Sequence, residues 1–337
     1  MSMDAIGDWL AAQGNPGAVL GVARRGEIVH LAAYGTAGVD DTFWIASMTK
    51  PLTTIAALTL VEEGHLDLQA DIADYLPEFA DRHVLDGTTP RPAARQPTVL
   101  DLLRHTSGIV EGLLGDTPAH KLYVEAVGNG MTDLTGAEFA TRLAALPFAH
   151  DPGTTWHYGW GLDLVGFIIE RLTNHTLADY LTARVLTPLG MTNTTFDANR
   201  PLFAPDQLPD LTRARFASGG AGLVSTTTDY LRFATFLLHG TSEIIGGNLR
   251  HHMTTDRLDP GTDRAMLDRM EPGHTFGLGL AVRETGPGTP GEITWPGAAG
   301  TMWWADPAED LAAVFLTHTW SDETNRMIRE TVRREFL

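Results

Sequence analysis

Strand-like segments stand at the two ends of this 337-residue chain and helix-like segments fill its middle. Near the N-terminus, Ala18–Arg24 and Glu27–Tyr34 are β-branched and apolar and meet at Arg25-Gly26, the signature of a hairpin. Near the C-terminus, Thr275–Val282, Gly291–Trp295, Thr301–Ala305 and Leu311–His318 run apolar at strand length between Gly, Pro and Asp turns. The segments 137–146, 162–172, 177–186 and 226–239 between them carry helical spacing, as do 3–13 and 322–336 at the extremes. Antiparallel strands from both termini can share one sheet. The pattern predicts an α+β architecture: a sheet-containing lobe from 1–46 and 275–337, and a mainly helical lobe from 47–274. Residues 86–97 are expected to form a surface loop, and the glycine-flanked 112–135 a mobile loop over a pocket.

The seam between the two regions is Phe43-Trp44-Ile45-Ala46-Ser47-Met48-Thr49-Lys50-Pro51-Leu52, which runs into an apolar stretch ending near Gly64. It predicts a turn and then a helix enclosed by protein, because Leu52, Ile55, Ala56, Leu58, Leu60 and Val61 cover more than one face. Pro51 fits because it falls near the first turn, where an N–H has no partner. Ser47 and Lys50 are three apart and share a helix face. A hydroxyl at a helix N-terminus beside an amine is the arrangement of an activated nucleophile. With seven serines and two lysines in the chain, chance would supply Ser-x-x-Lys only about 0.04 times, spreading those residues at random. Arginine makes up 22 of the 24 basic residues. Arginine stays charged, whereas a desolvated lysine can lose its proton, so a lysine here points to proton chemistry.

Composition narrows the alternatives. A net charge of −18 argues against nucleic acid or an anionic membrane as partner. The chain has no cysteine, which removes disulfides, thiol nucleophiles and cysteine-ligated metals from consideration. Neither a metal-ligand spacing nor a Gly-x-Ser-x-Gly elbow occurs, so no metal or cofactor is expected. The acidic N-terminus lacks a basic n-region and no apolar run is long enough to span a bilayer, so a cytoplasmic location is expected.

Two further stretches carry chemistry. Tyr158 lies in Trp156-His157-Tyr158-Gly159-Trp160, where a nearby ammonium would stabilise a phenolate. Thr294-Trp295-Pro296-Gly297-Ala298-Ala299-Gly300 puts small residues between two strands, which suits a backbone N–H facing a ligand closely. In this order, with Leu102-Leu103-Arg104-His105-Thr106-Ser107-Gly108, Phe148–Gly153, Pro188-Leu189-Gly190-Met191 and Gly219–Gly222 between them, these pieces resemble the β-lactamase and penicillin-binding-protein superfamily. Within it the chain is most similar to the class C-like esterases called family VIII carboxylesterases, along nearly its whole length.

The resemblance implies a β-lactamase-like fold with Ser47 as nucleophile. It implies Lys50 and Tyr158 as the groups that move its proton, and the N–H groups of Ser47 and Ala298 as the oxyanion hole. Two departures bear on substrate. The tyrosine box of penicillin-recognising members is Tyr-x-Asn, here Tyr158-Gly159-Trp160; their third box is Lys-Thr-Gly or His-x-Gly, here Trp295-Pro296-Gly297. Indoles in place of an amide and a cation remove recognition of the acylamino group and carboxylate of a β-lactam. The expectation is a serine carboxylesterase for small or compact apolar esters, with Trp160, Trp295, Gly297 and Tyr123 against the substrate. An acyltransferase of the same fold, an amidase or D-amino acid peptidase, and a non-catalytic binding protein are the alternatives.

Overall fold

The structure is a computed structural model that describes residues 2–130, 133–240 and 243–337. In chain order its strands are β1 (Gly17–Arg24), β2 (Glu27–Gly35), β3 (Phe43–Trp44), β4 (His83–Asp86), β5 (Thr89–Pro92), β6 (Val224–Ser225), β7 (His274–Phe276), β8 (Ala281–Arg283), β9 (Ile293–Thr294), β10 (Met302–Asp306) and β11 (Leu311–Leu316). Seven of them form one antiparallel sheet in the order β2-β1-β11-β10-β9-β8-β7. β1 pairs with β11 from Val19↔Leu316 to Arg24↔Leu311, so the two ends of the chain meet at the centre of the sheet.

Alternation along these strands builds two cores. On β1, Ala18, Leu20 and Val22 face the N-terminal helix Ile6–Ala12 and the C-terminal helix Asp322–Phe336, together with Trp304, Ala313 and Phe315. Val19, Ala23, Trp303, Ala312 and Val314 point the other way, into the large core shared with the helices of the middle region. The period of two puts adjacent Trp303 and Trp304 on opposite faces. Glu292, fully buried, is held by Arg283, Arg329 and Arg333 and so ties the last helix to β8 and β9.

At the heart of the large core lies the helix Thr49–Glu62, in which every residue from Thr49 to Leu60 is buried. A short 3₁₀ turn, Ala46–Met48, leads into it. The helix is enclosed along its length, with Gly161–Thr173 and the segment Leu177–Leu186 packed against it. Among the described residues no helix is long and apolar enough to cross a membrane.

Several expectations need correction. Residues 83–92 form the β4–β5 hairpin rather than a loop, with Pro90 and Pro92 as paired residues of its short arm. Proline is tolerated there because the two-stranded unit is all edge. Most of 112–130 is ordered as the 3₁₀ turn Gly112–Leu114 and the helix Pro118–Val127, with Thr117 as N-cap and Pro118 at its first position; residues 131–132 lie outside the described residues. Thr275–Val282 is two strands, β7 and β8, joined by a turn. Helices at Gly247–Met253 and Ala265–Met270 had no clear signal.

The short helix Val99–Leu103 shows how one buried charge organises the site's surroundings. Asp101 completes a capping box with Thr98, and its fully buried carboxylate also accepts from Arg95, Arg104 and Thr106. Burial pushes this carboxyl up, but the Arg95 hydrogen bonds, the Thr98 N–H and the two guanidinium charges together hold it below the usual range. Arg104 is itself 5% exposed and also bonds Asp259. Asp101→Ala would leave that buried guanidinium without its inner partner, so it is expected to cost about 3–5 kcal/mol. Urea unfolding is the measurement.

Candidate active site

The backbone approaching Ser47 is fixed on both sides. β3 pairs with β6 through Phe43↔Ser225 and Trp44↔Val224; Ile45 N–H then donates to Leu223 O, and Leu223 N–H to Thr49 Oγ1. Tyr230 Oη donates to Met48 O from the helix Thr227–His239. Ala46, just before Ser47, has φ +44°, a left-handed value that a residue with a Cβ rarely adopts. Strain of this kind costs on the order of 1–3 kcal/mol and persists only when surrounding contacts impose it. Ser47 makes no side-chain cap to the helix it precedes, leaving its Oγ to the cleft.

Three side chains converge there. Tyr158 Oη donates to Ser47 Oγ at 2.6 Å, and Lys50 Nζ stands 3.4 Å from the same oxygen. Lys50 Nζ also donates to Gly220 O at 2.7 Å and lies 4.5 Å from the centre of the Tyr158 ring. Lys50 is 4% exposed and Tyr158 5%. The Ala298 N–H donates to no backbone carbonyl among the described residues. The Ser47 N–H falls in the first turn of its 3₁₀ segment, where such groups lack an intrahelical acceptor. Ser47, Lys50, Tyr158 and Ala298 all line one cleft of about 260 Å³.

The indoles of Trp160 and Trp295 line the same cleft, with Trp44, Trp320 and Leu114. Trp295 packs 5.4 Å from the Tyr158 ring and edge-on to Phe276. Gly297 is not among the lining residues. Its N–H closes a turn on Thr301 O, and a Cβ there would sit 2.3 Å from the Ile45 carbonyl. It lets the 296–300 turn approach the backbone just before Ser47. Tyr123 does not reach the cleft at all: it is fully buried in the large core, its hydroxyl lacks a partner among the described residues, and burial pushes its phenol up. The helix Pro118–Val127 turns it inward, where a loop would have left it free.

Residues without a sequence signal complete the surroundings. Asp163, from the first turn of Gly161–Thr173, is 2% exposed. It accepts from Ser218 Oγ at 2.5 Å and from the N–H of Gly220, whose carbonyl holds Lys50. Burial pushes its carboxyl up against the opposing pull of Lys50. Glu111 lines the cleft as well, and burial raises its carboxyl too. Behind Tyr158 runs a chain of neutral rings. His157 Nδ1 donates to Tyr158 O at 2.9 Å, which leaves its Nε2 to accept from His120 Nε2 at 2.9 Å. His120 Nδ1 then accepts from Thr117 Oγ1 at 2.7 Å.

Buried histidines, in this chain of rings and elsewhere in the fold, set a pH dependence. Burial pushes His150, His157 and His274 each down to about 4, against about 6.5 in an unfolded chain. Between those values the unfolded state holds protons that the folded state does not. Stability is therefore full above pH ~6.5 and is lost as pH falls towards ~4, by up to about 1.4 kcal/mol per pH unit per histidine. Glu271, pushed up to about 7 by burial, runs the opposite way and offsets roughly one histidine. Urea midpoints are expected to fall between pH 6.5 and 4.5 and to change little between 7 and 8.

Comparison with known proteins bears on this geometry. The beta-lactamase family model matches residues 4–337. Protein Rv1367c of Mycobacterium tuberculosis is 36% identical over 89% of this chain and 85% of its own. Esterase EstB of Burkholderia gladioli is 32% identical over 90% of this chain and 86% of its own. The solved structure of EstCE1, described as a hydrolase with promiscuous acyltransferase activity, superposes with a TM-score of 0.83 at 25% identity, covering 98% of this chain and 97% of that one. The matched stretch takes in the sheet built from both ends, the enclosed helix and every residue that meets at Ser47, and on that ground the chain belongs to the beta-lactamase family, as a serine hydrolase of that fold.

Proposed function

We propose that the protein is a carboxylesterase, of the family VIII kind, that works through an acyl-enzyme on Ser47. The observation that carries this reading is the 2.6 Å and 3.4 Å approach of Tyr158 and Lys50 to one serine oxygen, inside a cleft walled by indoles. In its reactive state the Lys50–Tyr158 pair holds one proton fewer than a phenol plus an ammonium, and it accepts the hydroxyl proton as Ser47 Oγ bonds to the ester carbonyl carbon. The N–H groups of Ser47 and Ala298 bind the oxygen that becomes negative. The pair then returns the proton to the departing alcohol, and a water, deprotonated the same way, frees the acid. Gly220 O fixes one proton of Lys50, which directs the amine towards the Tyr158–Ser47 pair.

Trp160 and Trp295 favour apolar ester groups over anionic acylamino substrates, and the esterase among the relatives supports the same chemistry. Acyl transfer is the second reading, favoured by the acyltransferase activity in the description of EstCE1. The test is intact-mass spectrometry during turnover of p-nitrophenyl acetate and butyrate. The expected result is a mass increase of one acyl group, lost on replacing Ser47. Adding an alcohol separates the two readings, since a transferase yields the new ester in place of free acid. A cephalosporin is expected to survive, and Trp295→Lys alone is expected not to confer its hydrolysis, since Trp160 still lacks an amide.

A further inference from the structure

The Ser47 cleft, at about 260 Å³, falls below the ~300–1,000 Å³ of pockets that enclose a drug-sized ligand. A second cavity of about 550 Å³ adjoins it. Trp44, Asn129, Trp160, Asp163 and Ala221 line both, and so ring the junction between them. Beyond the junction the walls are mainly Phe196, Leu211 and Phe216 with small residues such as Ala198, Ala217 and Gly222, and Glu170 and Arg215 stand among them. Aromatic walls with the remaining space left open by alanine and glycine suit an apolar guest.

Trp160 is the partition. It is 8% exposed, its ring meets Phe139 edge-on at 5.4 Å, and its Nε1 has no hydrogen-bond partner among the described residues. A buried donor left unpaired costs roughly 1–3 kcal/mol; a carbonyl or ether oxygen passing through the junction would pair it. Gly130, on the chamber side with φ +78°, leaves room for the ring: a Cβ there would lie 2.5 Å from the tip of the indole.

We infer that the second cavity is a subsite for one limb of the ester, apolar and larger than the catalytic cleft can hold, which passes Trp160 while the carbonyl rests at Ser47. This builds on the esterase reading above and alters its substrate class from compact esters to esters with one bulky limb. The limb is either the acyl or the alcohol part, and the assay has an arm for each.

The test compares p-nitrophenyl 2-naphthoate (bulky acyl) and 2-naphthyl acetate (bulky alcohol) with p-nitrophenyl acetate, in wild type and in Ala217→Trp. Ala217 lines the chamber but not the Ser47 cleft. The expected result is that the kcat/KM ratio of one naphthyl ester to p-nitrophenyl acetate falls tenfold or more in A217W, and rises in Trp160→Ala. A binding measurement free of turnover accompanies it: quenching of tryptophan fluorescence by 2-acetonaphthone, a ketone that cannot be cleaved, is expected to weaken tenfold in A217W. Ala198→Phe, on another segment of the wall, serves if A217W does not fold. Unchanged ratios and unchanged ketone affinity in a folded variant overturn the subsite, as does wild-type protein that binds no ketone. Ketone binding that A217W weakens, in a protein that cleaves none of the esters, would instead sink the esterase reading and keep the cavity as an apolar ligand site.

Discussion

Ser47→Ala is expected to lower ester turnover by roughly six orders of magnitude, the scale seen when a nucleophile that acts with its base is removed. The same variant should lose all labelling by a fluorophosphonate. A smaller residue of activity is expected to persist, about 10³–10⁴ above water, because the N–H groups of residues 47 and 298, proposed above as the oxyanion hole, remain to polarise a bound ester. Stability is expected to change little. The Ser47 hydroxyl caps no helix, and the contacts that hold the turn run through the backbone of Ile45, Met48 and Thr49. A fully active S47A would leave the 2.6 Å contact with Tyr158 without catalytic meaning.

Much of this arrangement was legible because it depends on local pattern. Period-two alternation placed Trp303 and Trp304 on opposite faces of a strand, and the two cores receive them that way. Three-residue spacing put Ser47 and Lys50 on one face. What the sequence hid is long-range. Asp163 lies more than a hundred residues from Lys50 and reaches it only because the glycine run 219–222 folds between them. The ring chain from Thr117 to His157 joins two segments with no common motif. Tyr123 was misplaced for a different reason: glycines on either side suggested a loop, while Thr117-Pro118, a good helix start, carried the better signal. The second cavity had none, because its walls come from five separate stretches of chain.

Lys50→Met and Tyr158→Phe are each expected to lower kcat by about 10³–10⁴, or roughly 4–5 kcal/mol of transition-state stabilisation, and the double variant by little more than either. The reason is geometric. Lys50 Nζ and Tyr158 Oη approach the same serine oxygen, and the amine lies against the phenol ring, so in the proposed mechanism the two serve as one proton acceptor. If they acted independently the losses would add, and the double variant would fall by 10⁶–10⁸. Their effects on stability should differ. Tyr158→Phe removes a hydroxyl whose partner, Ser47, still faces the open cleft, so the melting temperature should stay close to wild type. Lys50→Met leaves the Gly220 carbonyl without its donor and Asp163 without the nearby positive charge that opposes burial. Asp163 is then expected to take up a proton at higher pH than in wild type, a shift that carbon-detected NMR of the carboxyl would register. Additive losses in the double variant, or an Asp163 titration that Lys50→Met does not move, would separate the amine from the role given to it.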